Sequence, residues 1–252
     1  MSLNEQYGRA LTYELVTSRR AKRASLRVVP GRGLVVTVPQ RFPKNDVAAF
    51  VKNNRVWIDA SLADLEARIL PRFRQWPPRK LPLLAMQLRM VFTYEAETPQ
   101  QVPAIESADL HCRIKSPMDD KPAVAHEIAQ HLKELARRFL PPLLASYSHL
   151  HGFQYQRVSI RGQRSVWGSY SSSGTISLNY KLLFLSRELV DYVLLHELAH
   201  TVHLNHSAAF WELLCRVNVN ARVLDRRLAD AGHQVPPWLE LAGGPRVIHQ
   251  LA

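Results

Sequence analysis

Two histidines four residues apart, with a glutamate directly after the first, stand out in this 252-residue chain: His196-Glu197-Leu198-Ala199-His200. On a helix the two imidazoles share a face, separated by about 6 Å along the axis and about 40° around it. Rings so placed can grip one metal ion. Glu197 then projects towards the open side of that ion, where its carboxylate can take a proton from water. An HExxH run is short, so its context matters. Val190, Val193, Leu194, Leu195 and Leu198 supply the buried surface of an amphipathic helix that starts after a capping Ser186 and runs beyond His200. Polar rings among such apolar neighbours need compensation, and metal binding provides it.

A hydrolytic zinc site needs a third protein ligand. His206 lies ten residues after His196, the spacing of the HExxHxxGxxH pattern. On an unbroken helix it would sit about 240° beyond His200. The chain must therefore turn between Thr201 and Asn205, with Asn205 able to adopt left-handed geometry. Ser207 can then cap a new helix through Trp211, Leu214 and Val217. Two rivals exist. His203 shares the helical face but sits about 10 Å along the axis from His196, too far for one ion. Glu212 lies on the following helix, at short spacing for a glutamate ligand. His203 also replaces the glycine of that pattern. A second histidine pair, His126 and His131, lies five apart, so its rings diverge by about 140° and read as surface residues.

These residues need elements to hold them. Leu11–Thr17, Ala24–Val29 and Leu34–Val38 read as strands, the last two joined by the turn Pro30-Gly31-Arg32-Gly33. A helix capped by Asn45 or Asp46 follows, bending near Asn53-Asn54. Pro71–Pro82, with four prolines, reads as a connector. Leu83–Tyr94 and Leu110–Ile114 read as strands, and Ala123–His149 as a helix that Pro141-Pro142 should kink or break. Tyr155–Arg161, Val166–Tyr170 and Thr175–Leu178 form three further strands, the last two joined through Ser171-Ser172-Ser173-Gly174. The fold class is α+β, with an N-terminal strand-rich basic domain over 1–115 and a catalytic domain over 120–252.

Composition narrows the setting. Hydrophobic residues at 46% and charged ones at 21% suit a globular chain that buries a core. No run approaches the ~20 apolar residues of a membrane helix, and Met1–Leu15 has no signal-peptide pattern. Two cysteines, Cys112 and Cys215, form no disulfide framework, so a cytoplasmic location is expected. Net charge is +12. Residues 1–95 hold 17 Lys and Arg against 7 Asp and Glu, which accounts for ten of those twelve charges. Such a surplus suits a solvated basic face or a nucleic-acid contact.

The run Trp167-Gly168-Ser169, then Gly174-Thr175-Ile176-Ser177-Leu178-Asn179, then Tyr192 to His200, then Asn205-His206-Ser207 and Phe210-Trp211 resembles the YgjP-like metallopeptidase family. That family is related to the SprT-like and WLM-type zinc proteases. Arg19-Arg20-Ala21-Lys22-Arg23 before a hairpin, and Phe50 to Ile58, resemble its leading domain. The resemblance implies a minimal, gluzincin-like zincin with a small antiparallel sheet packed on the HExxH helix. It also implies one zinc ion per chain held by His196, His200 and His206, with Glu197 as base. The family commonly has Arg-Trp-Gly-Ser-Cys, whereas Val166 and Tyr170 flank this Trp-Gly-Ser, leaving Arg164 to supply any arginine.

The expected activity is peptide hydrolysis by a monomer. Trp167, Tyr170 and Ile176 are candidate substrate contacts, with filling the core the preferred reading of Trp167. Tyr170, Tyr180 and Tyr192 are candidates to polarise a carbonyl. Alternatives are a nucleic-acid-associated protease of the SprT type, a hydrolase of a non-peptide substrate such as a nucleotide, and a metal-bound structural domain.

Overall fold

The structure is a computed structural model that describes residues 11–97, 109–163, 166–243 and 248–251. It divides into two compact units, Met1–Gln75 with Pro236–Ala252, and Trp76–Val235. The division read from the sequence, at residues 115–120, falls inside the second unit, between the strand Asp109–Ile114 and the helix Lys121–His151.

The described residues of the first unit include a four-stranded sheet and two α-helices. Strands β1 (Leu11–Ser18), β2 (Ser25–Val29), β3 (Gly33–Pro39) and β10 (Ile248–Leu251) lie in the order β10-β1-β3-β2. β2 and β3 form the expected hairpin, while β1 pairs with β3 in parallel. Alternate residues of β3 point to one face, so Leu34, Val36 and Val38 meet Val47 and Val51 of α1 (Lys44–Asn53) and Ile58 of α2 (Arg55–Arg68) in one core. The helix break falls at Asn54, as the paired asparagines suggest. The N-cap of α1 is Pro43, without a side-chain cap, and Asp46 lies in the first turn, where the helix dipole favours it. At the hairpin, Gly31 has φ 68°, and a Cβ there would lie 1.7 Å from the Pro237 carbonyl oxygen. Arg32 donates twice to Glu14, at 2.9 and 2.5 Å, in a pair that is nearly buried.

The described residues of the second unit form two three-stranded sheets and four α-helices. In the first sheet, β4 (Lys80–Leu83) pairs antiparallel with β5 (Leu88–Tyr94), which pairs parallel with β6 (Asp109–Ile114). The strand expected over Leu83–Tyr94 starts only at Leu88, after a 3₁₀ turn and Gln87 at φ 56°, while β4 lies mostly in the stretch Pro71–Pro82 that reads as a connector. Helix α3 (Lys121–His151) runs unbroken through Pro141-Pro142. A proline inside a helix costs about 3 kcal/mol. The fully buried stripe Val124, Ile128, Leu132, Ala136, Leu140 and Leu144 offsets that cost by packing.

In the other sheet the order is β7 (Arg157–Arg161), β9 (Thr175–Asn179), β8 (Gly168–Tyr170). β8 and β9 form the expected antiparallel hairpin, with Gly174 at φ 77° in its turn. β7 runs parallel to β9, so the sheet is mixed rather than antiparallel. Against it packs α4 (Arg187–Ala199), followed by α5 (Ala208–Val217) and α6 (Ala221–Ala229). Nine of the thirteen residues of α4 are buried, which makes it the core helix of this unit.

Candidate metal centre

α4 stops at Ala199, shorter than expected, and His200 occupies its C-cap. The amides of Val202 and His203 both reach back to the Ala199 carbonyl, and Thr201 Oγ1 donates to the Leu198 carbonyl. Chain reversal follows without a left-handed residue. Asn205 has ordinary φ, and its side chain accepts instead from the Ser207 amide. Ser207 then caps α5 by accepting from the Phe210 amide at 3.4 Å. Ser186, by contrast, makes no side-chain cap on α4.

This reversal brings His206 back over α4. His196 Nε2 lies 3.2 Å from His200 Nε2 and 3.0 Å from His206 Nε2. A tetrahedral zinc ion with bonds of about 2.0–2.1 Å sets its ligand nitrogens about 3.3–3.4 Å apart, close to this spacing. His200 Nδ1 donates to the His203 carbonyl at 2.9 Å, so its neutral ring presents a lone pair on Nε2. Facing lone pairs at such distances repel unless a cation lies between them, and the donor set therefore fits a metal. Among the described residues no other group of three or more His, Cys, Asp or Glu converges in this way.

The surroundings favour ligands over charges. Burial, then the nearby His200 and His206 charges, push the His196 imidazole down to about 4. Burial also lowers His200, against the opposing bond to His203. Phe210, fully buried, packs its ring against all three imidazoles, with centroids 4.6–5.0 Å away. Trp211 lies 6.4 Å from the His206 ring and carries the Arg222 guanidinium 3.8 Å above its own centroid.

Glu197 is buried beside the triad, and its Oε2 has no hydrogen-bond partner among the described residues. Burial pushes its carboxyl up to about 8. Above it runs β8. A Cβ on Gly168 would come within 2.6 Å of Glu197 Oε1, so only glycine lets the strand approach this closely.

The remaining sequence candidates divide clearly. Trp167 is half-buried, and its carbonyl accepts from the Asn179 amide. Tyr170 is half-buried on β8, whereas Ile176 is fully buried and its side chain belongs to the core rather than a cleft. Tyr180 is buried beneath the Lys133 ammonium. His203 contributes its carbonyl, not its ring, and Glu212 pairs with Arg216. His126 and His131 lie on α3, away from any converging donor set among the described residues. Arg164 lies outside the described residues.

Sequence reasoning passed over three contributors: Gly168 as the close-approach residue, Phe210 as the floor, and Asp225; it considered Tyr192 for polarising a carbonyl, whereas that hydroxyl is engaged by Asp225 and His196. Tyr192 donates to Asp225 Oδ1 at 2.8 Å and lies 3.3 Å from His196 Nδ1. Its position one helical turn before His196 was a legible signal. Asp225, on α6, was not.

Two solved structures are similar over part of the chain. The metallopeptidase zymogen of Pyrococcus abyssi abylysin shares 30% identity, with 36% of this chain and 91% of that one covered, at a TM-score of 0.33. The metallopeptidase zymogen of Methanocaldococcus jannaschii jannalysin shares 18%, covering 36% and 93%, at 0.32. No curated protein matches the chain. The YgjP-like metallopeptidase domain matches residues 22–231, and the chain belongs to that family.

Proposed function

We propose that this metallopeptidase-family chain is a zinc peptidase in which His196, His200 and His206 hold one ion and Glu197 is the general base. The observation that carries this reading is the convergence of three imidazoles beside a buried, unpartnered carboxyl oxygen: His196 Nε2 lies 3.2 Å from His200 Nε2 and 3.0 Å from His206 Nε2, and one ligand nitrogen from each ring lies within 4.8 Å of the others. Three imidazoles suit zinc, whose hydrolytic sites leave a fourth position open. When bound, the ion supplies Lewis acidity, polarising a carbonyl and acidifying water. The chain supplies the rest. Glu197 takes a proton from the attacking water and passes it to the leaving amine, while the strand above its carboxyl excludes solvent.

Strand β8 favours a peptide over a nucleotide. Trp167 and Ser171 form hydrogen-bonded pairs with Asn179 and Thr175 of the neighbouring strand. Alternation then turns the backbone groups of Gly168 and Tyr170 outward on the sheet's free edge. An extended peptide pairing with that edge would lie directly over Glu197. Catalytic function is assigned to the 120–252 part of the chain, in a monomer. The free cysteines suit a reducing, cytoplasmic setting, and no described helix is long and apolar enough to cross a membrane.

Metal analysis with a peptide-library digest tests the reading. Expected are one zinc ion per chain and cleavage that the Glu197→Gln protein lacks while retaining its metal. Absence of stoichiometric transition metal, and failure to take any up, would overturn it.

A second reading adds an acidic partner such as nucleic acid. Arg19, Arg20, Lys22 and Arg23 are exposed on the β1–β2 link, in the half of the chain that holds most of the positive surplus. Binding to single-stranded DNA that weakens steeply with salt supports it, and salt-indifferent binding or none counts against it.

A further inference from the structure

The hydrogen bonds around His196 run in one direction only. A carboxylate accepts and cannot donate, so the 2.8 Å contact between Tyr192 and Asp225 requires the tyrosine hydroxyl to give its proton to Asp225. That hydroxyl has no second proton. Its 3.3 Å contact with His196 Nδ1 is therefore made by the ring, which donates from Nδ1 to the phenol oxygen. Neutral imidazole carries one proton, so Nε2 is left with its lone pair, aimed at His200 and His206.

We propose that Asp225 is a positioning residue for the metal centre, acting through the Tyr192 hydroxyl to fix both the tautomer and the orientation of His196. This rests on the zinc-site reading above but adds a residue from another helix. Tyr192 and His196 stack one turn apart on α4, with ring centroids 5.7 Å apart in an edge contact, and Tyr192 is fully buried. Asp225 reaches it from α6, which packs on α4. Without Asp225 the hydroxyl proton is free to turn towards Nδ1, which would move the ring proton to Nε2 and block the ligand atom. His200 has the corresponding anchor within its own turn, since the His203 carbonyl also only accepts. The anchor of His196 instead runs through Tyr192 to Asp225, which lies 33 residues beyond that tyrosine in sequence.

Outer partners of metal-bound histidines change affinity by about 10–100-fold when removed. Equilibrium zinc affinity, measured by competition with a chromogenic chelator, should weaken by that factor in Asp225→Ala and in Tyr192→Phe. Since Asp225 acts through Tyr192, adding Asp225→Ala to Tyr192→Phe should change affinity by less than about twofold. Asp225→Asn keeps an oxygen acceptor and should fall between parent and Ala. Nitrogen NMR of the metal-free protein gives a second readout: His196 should be protonated at Nδ1 in the parent and shift towards Nε2 in Asp225→Ala. Asp225 is exposed, so this variant should fold, and metal-free urea unfolding within error of the parent separates positioning from support. Zinc affinity and His196 tautomer both unchanged in Asp225→Ala would overturn the inference. So would independent, additive losses in the double variant. A parent that takes up no zinc fails the peptidase reading instead.

Discussion

Replacing Glu197 by glutamine should stabilise the metal-free protein while destroying its activity, and the two effects have different pH dependence. The carboxyl is pushed from its ordinary 4.5 to about 8 by burial alone. The folded state therefore holds this proton more tightly than the unfolded chain does. Stability is complete below about pH 4.5 and is lost as pH rises towards 8, where the buried group must ionise. The full loss spans 3.5 pH units, about 5 kcal/mol at 1.36 kcal/mol per unit, and at pH 7 about 2.5 units of it, roughly 3 kcal/mol, is already incurred. Glutamine has nearly the same shape and no charge, so it escapes this loss.

Urea unfolding in chelator, from pH 5 to 9, measures the effect directly. The Glu197→Gln protein should exceed the parent by only about 1 kcal/mol at pH 5 and by about 3 kcal/mol at pH 7, and the gap should level off above pH 8. Saturating zinc should shrink the gap, because a nearby dication favours the carboxylate. Hydrolysis by the zinc-loaded variant should fall by about 10²–10⁴-fold, the range for loss of a general base. A gap that does not vary with pH would refute the burial argument. A metal-free variant less stable than the parent at pH 7 would refute it as well.

Further expectations concern the residues around the triad. Gly168→Ala puts a Cβ within 2.6 Å of Glu197 Oε1, and the side chain should yield before the strand does. Urea unfolding should then change by only about 1 kcal/mol while peptide turnover drops by about 10²-fold, since small misplacement of a reacting group has that effect. Phe210→Ala should cost about 3–5 kcal/mol by opening a cavity under all three imidazoles, and zinc dissociation should quicken with it. Replacing Arg19, Arg20, Lys22 and Arg23 by Gln should flatten the dependence of DNA binding on log salt by up to about 3 units, at about 0.7 per lost phosphate contact on a single strand.

The parts of this architecture visible in the sequence are those fixed by neighbours along the chain. The hairpin at Pro30–Gly33, the helix break at Asn53-Asn54 and the cap at Ser207 each follow from a few adjacent side chains. The parts that escaped depend on distant packing. Gln87 takes a left-handed conformation that glycine would have advertised, so the turn before β5 reads as strand. Helix α3 survives Pro141-Pro142 because its buried stripe lies against neighbours that periodicity cannot reveal. The parallel pairings of β1 with β3, β5 with β6 and β7 with β9 join strands that are not hairpin neighbours, and no short turn announces them.

The metal site combines both kinds of information. Helical spacing places His196 and His200 together, and a continued helix would carry His206 about 240° away. Ending α4 at Ala199 is thus as necessary to the triad as the histidines themselves. The reversal exposes Val202 and Leu204, an arrangement that apolar burial alone would not select. What holds it is polar: two amides on the Ala199 carbonyl, Thr201 on Leu198, His200 on the His203 carbonyl, and Asn205 under Ser207. One of these bonds, from His200 Nδ1, also aims a ligand. The reversal therefore fixes the tautomer of one histidine by the same contact that brings another into range.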